Sequence, residues 1–144
     1  MNILKTSPSV TEADVILASI FFEGYYEEEI KLPRNHCCVF KTPPLSVGRE
    51  IFSLISADQP KTVSRYELLY ATYCLAAFLI SLDNKKLPPL ITTNKESIIK
   101  SLKTKESVLD HLSGSVMDIF IVELAKFNQK IITAKETEKQ KNEF

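Results

Sequence analysis

The sequence is short of nearly everything from which an active site is assembled: two histidines, three cysteines and three glycines in 144 residues. The glycine that precedes a helical segment, in Ser46-Val47-Gly48-Arg49-Glu50, is far from the multi-glycine pattern that a phosphate-cradling loop needs. Net charge is missing too. Eighteen basic residues balance eighteen acidic ones, so no general field draws the chain to nucleic acid, anionic lipid or an acidic substrate, and a partner must be recognised locally. Long apolar runs are also lacking. The longest, Leu68 to Leu82, is interrupted by Thr72 and Ser81 and falls short of the ~20 residues a helix needs to cross a bilayer. Met1 to Ser9 has no apolar run after Lys5, so no signal peptide is expected. Cys37, Cys38 and Cys74 are an odd set in a chain long enough to fold without staples, which fits free thiols in a reducing cytosol.

What is present is a folding composition, with 44% hydrophobic and 25% charged residues, close to the globular average and unlike a disordered chain. The length fits one domain. The expected organisation is a single globular domain over residues 1–134. A charged helical extension or a frayed tail follows over 135–144, where Lys135, Glu136, Glu138, Lys139, Lys141 and Glu143 precede Phe144.

Ser9 or Thr11 can cap a first helix with Glu12 and Asp14 in its first turn, and Val15, Ile16, Ile20 and Phe21 then face a core. Gly24 ends that pattern. Ile30 and Leu32 have the period of a strand, Pro33-Arg34-Asn35-His36 reads as a turn, and Cys37 to Lys41 is rich in strand formers, so a β-hairpin is predicted. Pro43 and Pro44 stop its second strand, and Ser46 caps a helix of about Val47 to Ser56 with Ile51, Leu54 and Ile55 inward. Thr62 or Ser64 caps a central helix running to about Leu82, apolar nearly all round and therefore expected to be surrounded. Asp83-Asn84 and Pro88-Pro89 end it, and Asn84 to Pro88 reads as a tight turn or short hairpin tip.

Asn94 and Thr104 offer caps for two short helices. From Val116 the spacing Val116, Phe120, Leu124, Phe127, Ile131 marks one face of a long amphipathic helix. The fold class is therefore α+β and mainly helical: one small hairpin, then a helical bundle around a buried central helix.

Candidate chemistry is thin. His36-Cys37-Cys38 is the only cluster of metal-ligand types, but neighbouring strand residues point to opposite faces, whereas zinc needs ligands that converge; no metal and no cofactor are expected. Cysteine catalysis would need His36 or His111 beside a thiol with a third group orienting the ring, and the spacing gives none, so the chain is not expected to be an enzyme. Glu27-Glu28-Glu29 lacks the spacing of a calcium loop and reads as exposed strand. Lys95, Lys100, Lys103 and Lys105 are interleaved with Glu96, Glu106 and Asp110 and with no aromatic for base stacking, so nucleic acid is not the expected partner.

The remaining signal is aromatic. Tyr66, Tyr70, Tyr73 and Phe78 on the central helix read as core. Phe21-Phe22 and Tyr25-Tyr26 are adjacent pairs, whose members cannot all face one way in regular structure. That makes Phe21, Phe22, Tyr25 and Tyr26 the candidate surface anchors for a partner.

The order of elements resembles a known group. Ile30-Lys31-Leu32-Pro33, then Val39-Phe40-Lys41-Thr42-Pro43-Pro44-Leu45-Ser46-Val47-Gly48-Arg49-Glu50, is similar to the hairpin and helix start of small bacteriophage tail-assembly or baseplate-assembly chaperones. Leu75 to Leu82 followed by Asp83-Asn84-Lys85-Lys86-Leu87, and Glu106 to Leu112 before the last helix, continue the resemblance over residues 28 to 132. It implies a chaperone-like, non-enzymatic protein-binding factor in the host cytoplasm, with another phage tail or baseplate protein, or a second copy, as partner. The alternative is a structural subunit of the virion, in the baseplate or tail connector.

Overall fold

A computed structural model of the chain describes residues 11–142, so Ser9, the rest of residues 1–10 and Phe144 lie outside the described residues. Among the described residues the fold is α+β and mainly helical, with five α-helices and a four-stranded antiparallel sheet. Packing divides the chain into two compact units: a larger one, Glu27–Ala125, and a smaller one built from residues 11–26 and 126–142. The last helix runs on through Asn142, so the charged stretch after residue 134 continues a helix, and this helix contributes to both units.

The larger unit begins with the predicted hairpin, strands β1 (Glu27–Leu32) and β2 (His36–Lys41). Arg34 and Asn35 turn the chain in the left-handed region, at φ 59° and 64°. Alternation sets the faces. Cys38 and Phe40 of β2 are fully buried, opposite Ile30 and Glu28 of β1, while Glu27 faces Lys41 on the other side. Helices α2 (Leu45–Asp58) and α3 (Val63–Phe78) follow, packed on each other, with Val47, Ile51, Leu54 and Ile55 inward from α2 and Leu69, Tyr73, Ala76 and Ala77 from α3. Pro44, not Ser46, occupies the N-cap of α2, without a side-chain cap, whereas Thr62 caps α3 by accepting from the Arg65 N–H at 3.1 Å.

The central helix is shorter than its apolar run. It stops at Phe78, and Leu79–Leu82 becomes strand β3, pairing antiparallel with β2 and turning into the two-residue strand β4 (Lys85–Lys86). A run with almost no polar residues has no period with which to declare itself helix or strand. Asp83 and Asn84, at φ 51° and 66°, form the two-residue turn between β3 and β4, the conformation that matches strand twist. The sheet order is β1-β2-β3-β4, and its short outer strand carries two exposed lysines, which discourage further edge pairing.

Two short helices were expected after Asn94; a single one forms, α4 (Lys95–Leu109). Asn94 does cap it, accepting from the Ser97 N–H at 2.8 Å, but the Thr104 hydroxyl donates back to the Lys100 carbonyl and starts nothing. The final helix α5 (Gly114–Asn142) begins after Ser113, whose carbonyl and hydroxyl accept from Met117 and Val116. Its face Phe120, Leu124, Phe127, Ile131 is buried as its period requires, though Val116 at the start of that series is exposed.

The smaller unit contains α1 (Glu12–Glu23) and the second half of α5. Thr11 and Asp14 exchange side-chain-to-backbone hydrogen bonds at 3.1 Å each, a capping box, and Gly24 closes the helix at φ 86° with its N–H on the Ile20 carbonyl. The Ser19 hydroxyl then holds the Tyr25 carbonyl at 2.6 Å, Tyr26 stacks on Phe127 with ring centroids 5.6 Å apart, and Lys130 pairs with Glu12 at 3.0 Å.

Candidate functional site

On α1 only Ile16 is fully buried, and Val15, expected inward, is half exposed. The adjacent pair Phe21 and Phe22 does not split between core and surface: they are 77% and 89% exposed. Consecutive helical residues lie only about 100° apart, so both fit on an outer face opposite Ile16. Tyr25 and Tyr26 do differ. Tyr25 is half-buried, whereas Tyr26 is buried against Phe127 and is a packing residue, which corrects its place among the surface anchors.

A second aromatic surface, in the larger unit, was not anticipated. Phe52 of α2 lies 5.7 Å from Tyr70 of α3, and Tyr70 stacks on Tyr66, centroid to centroid 6.4 Å and within 9° of parallel. All three rings are at least 40% exposed. Along α3 they belong to the spacing Val63, Tyr66, Tyr70, and along α2 to Leu45, Phe52, so two neighbouring outward stripes carry large apolar residues. Tyr66 and Tyr70 are therefore not core, although Tyr73 is. The available signal was that α3 carries two apolar stripes where one suffices to pack on α2 and α4. Cys74, one turn beyond Tyr70, is hydrogen-bonded to it; the thiol is pushed up by burial, and the Tyr70 hydroxyl is pushed up first by Cys74.

His36, Cys37, Cys38, Cys74 and His111, the candidate catalytic and metal-ligating residues, all lie in the larger unit. His36 Nδ1 lies 2.7 Å from Asp83 Oδ2, and Asp83 Oδ1 accepts the Cys37 N–H at 2.9 Å while its own N–H reaches the Cys37 carbonyl at 2.8 Å. These bonds hold the Asp83 carboxyl below its ordinary range, the Cys37 amide contributing most. The arrangement clamps the β3–β4 turn to the start of β2. Cys38 is fully buried and pushed up to about 12, by burial first and then by Cys37, Glu123 and Asp83, so its thiolate is suppressed. All three cysteines are free thiols. His111 is exposed just beyond α4, with its N–H on the Val108 carbonyl. Among the described residues no group of three or more His, Cys, Asp or Glu side chains is placed to hold a metal ion.

Lys105 leaves the basic stretch altogether. It is 1% exposed and donates through Nζ to the Leu79 carbonyl at 2.7 Å, and burial lowers it to about 8. Leu79 is the C-cap of α3, so the ammonium meets the negative end of that helix. A groove of about 410 Å³ lies between α3 and α4, with Asp58, Arg65, Lys103, Glu106 and Asp110 along it. Asp58 and Arg65 pair at 3.6 Å, and burial first, then the hydrogen bond that Tyr73 donates to Glu106, pushes the phenol up to about 12. Mixed signs leave no focused field for a charged ligand.

No helix among the described residues is long and apolar enough to cross a membrane. Compared with protein families, with characterised proteins and with solved structures, the chain matches none.

Proposed function

We propose that this chain is a non-enzymatic, chaperone-like protein-binding factor that docks a partner on the exposed row Phe52, Tyr70, Tyr66. That row supports the reading because large aromatics side by side on two packed helices give rigid apolar area with hydroxyls at its margin, the composition of interface hot spots. Flanking Leu45 and Val63 extend it to a strip suited to an apolar helical segment. The resemblance of residues 28 to 132 to phage tail and baseplate assembly chaperones supplies the context: another tail or baseplate protein as partner, met in the host cytoplasm.

Two observations test the parts separately. The phage context requires tail-measure or baseplate genes beside this one, and a different neighbourhood would remove it while leaving the binding surface. Mass spectrometry of purified particles is expected to find the chain absent or in trace amount. Abundant stoichiometric presence would instead favour a structural baseplate or connector subunit.

A further inference from the structure

The smaller unit presents an apolar face that its own two helices do not cover. Helix α1 has eight apolar residues in twelve, and its exposed stripe Val15, Ala18, Phe22 has the three-and-four spacing of a helix-packing seam, with Phe21 beside it. A twelve-residue helix is marginal in water without packing, and this one buries a single side chain completely.

Charge narrows the choice of occupant. Helix α1 carries Glu12, Asp14 and Glu23 and no cation, whereas the second half of α5 carries Lys126, Lys130, Lys135 and Lys139 against Glu136 and Glu138. One unit thus holds an acidic helix and a basic one, already joined once by the Glu12–Lys130 pair. Such a surface is complementary to itself under a two-fold rotation, which brings the acidic helix of one copy to the basic helix of the other. An anionic membrane is disfavoured, since the exposed phenylalanines sit on the acidic helix.

The area is also adequate. With Phe21 and Phe22 mostly exposed and Val15 half exposed, each copy offers roughly 350 Å² of apolar side chain. Two copies reach about 700 Å², and a polar rim in the usual proportion takes the total past the ~1,000 Å² of a specific interface.

We propose that two copies of the chain associate through this unit, burying Phe21 and Phe22 of each against the other in a four-helix arrangement. The inference rests on the same idea of exposed aromatics as contact surfaces, but on a different patch and with a different partner.

Light scattering on the full chain after size exclusion, across a concentration series, tests it. Wild type is expected to be a dimer. The double substitution Phe21→Ser, Phe22→Ser is expected to weaken association by about a hundredfold or more, with the far-ultraviolet circular dichroism unchanged because neither ring is in the core. Val15→Lys, on the same stripe as Phe22, is a second route to the same loss, and Phe52→Ser should leave the dimer intact. A monomer at every concentration, a dimer indifferent to the double substitution, or a monomer that sediments with phosphatidylserine vesicles would overturn the proposal. A dimer lost on Phe52→Ser but not on the double substitution would overturn it too, and would move self-association to the other surface.

Discussion

The two units solve the problem of burial differently. Residues 27–125 enclose a core from several directions, with sheet residues Cys38, Phe40 and Leu79, helix α2 through Val47, helix α3 through Leu75 and helix α4 through Leu102, each at 0% exposure. Residues 11–26 and 126–142 have two helices, a stacked Tyr26–Phe127 pair, and phenylalanines left in solvent. The lesson is that exposure of aromatics means different things in the two. In the larger unit the aromatic row is surplus to a finished core, as the proposed docking surface requires. In the smaller unit the exposed rings are what a core would still need.

The sharpest way to break this contrast is to empty each core in turn. Phe40→Ala is expected to cost about 3–5 kcal/mol, because a ring enclosed on all sides leaves a cavity that cannot collapse. Phe127→Ala should cost less, about 2–3 kcal/mol, since a two-helix unit can settle around the gap. Urea denaturation measures both, and equal costs would erase the distinction.

Next in size is the buried lysine. Lys105 titrates near 8 in the folded chain and at 10.5 when unfolded, so between those values the unfolded chain holds the extra proton and stability rises with pH. The full rise is at most about 3 kcal/mol, from 1.36 kcal/mol per pKa unit. Lys105→Met is expected to flatten the stability profile between pH 8 and 10.5. A profile that keeps its slope in the variant would show that another group carries it.

In the smaller unit, Thr11→Ala removes one arm of the capping box and is expected to cost about 1 kcal/mol. Hydrogen exchange should show the loss concentrated in α1, with the amides of β2 unaffected. The smallest effect belongs to the Asp83 clamp. Its carboxyl is held low in the folded chain, so its contribution is present above the ordinary carboxylate range and fades as pH falls through the folded value. Asp83→Asn should lower the urea midpoint slightly at neutral pH and remove that part of the acid dependence.

Much of this was legible in the residues themselves, where period and punctuation agree. The inward set Ile51, Leu54, Ile55, the face Phe120 to Ile131 and the hairpin around Pro33 follow from spacing alone. Strand β3 was hidden because the apolar run Leu68 to Leu82 has no polar side to reveal its period. The continuity of α4 was hidden because Thr104 is as good a cap as a helix interior residue that bonds back to Lys100. Of the surface aromatics, adjacency nominated one of Phe21 and Phe22, and the structure exposes both. Tyr66 and Tyr70 could not be nominated, because only the packing of α2 and α4 decides which of two apolar stripes on α3 is covered.

The claim that the aromatic row is the docking surface is tested most directly by co-expressing the chain with the products of its neighbouring genes and comparing wild type with Phe52→Ala, Tyr70→Ala. A partner that co-purifies with wild type in fixed proportion and is lost from the double variant, with the fold intact by circular dichroism, is the expected result. A partner retained undiminished by the double variant would contradict it.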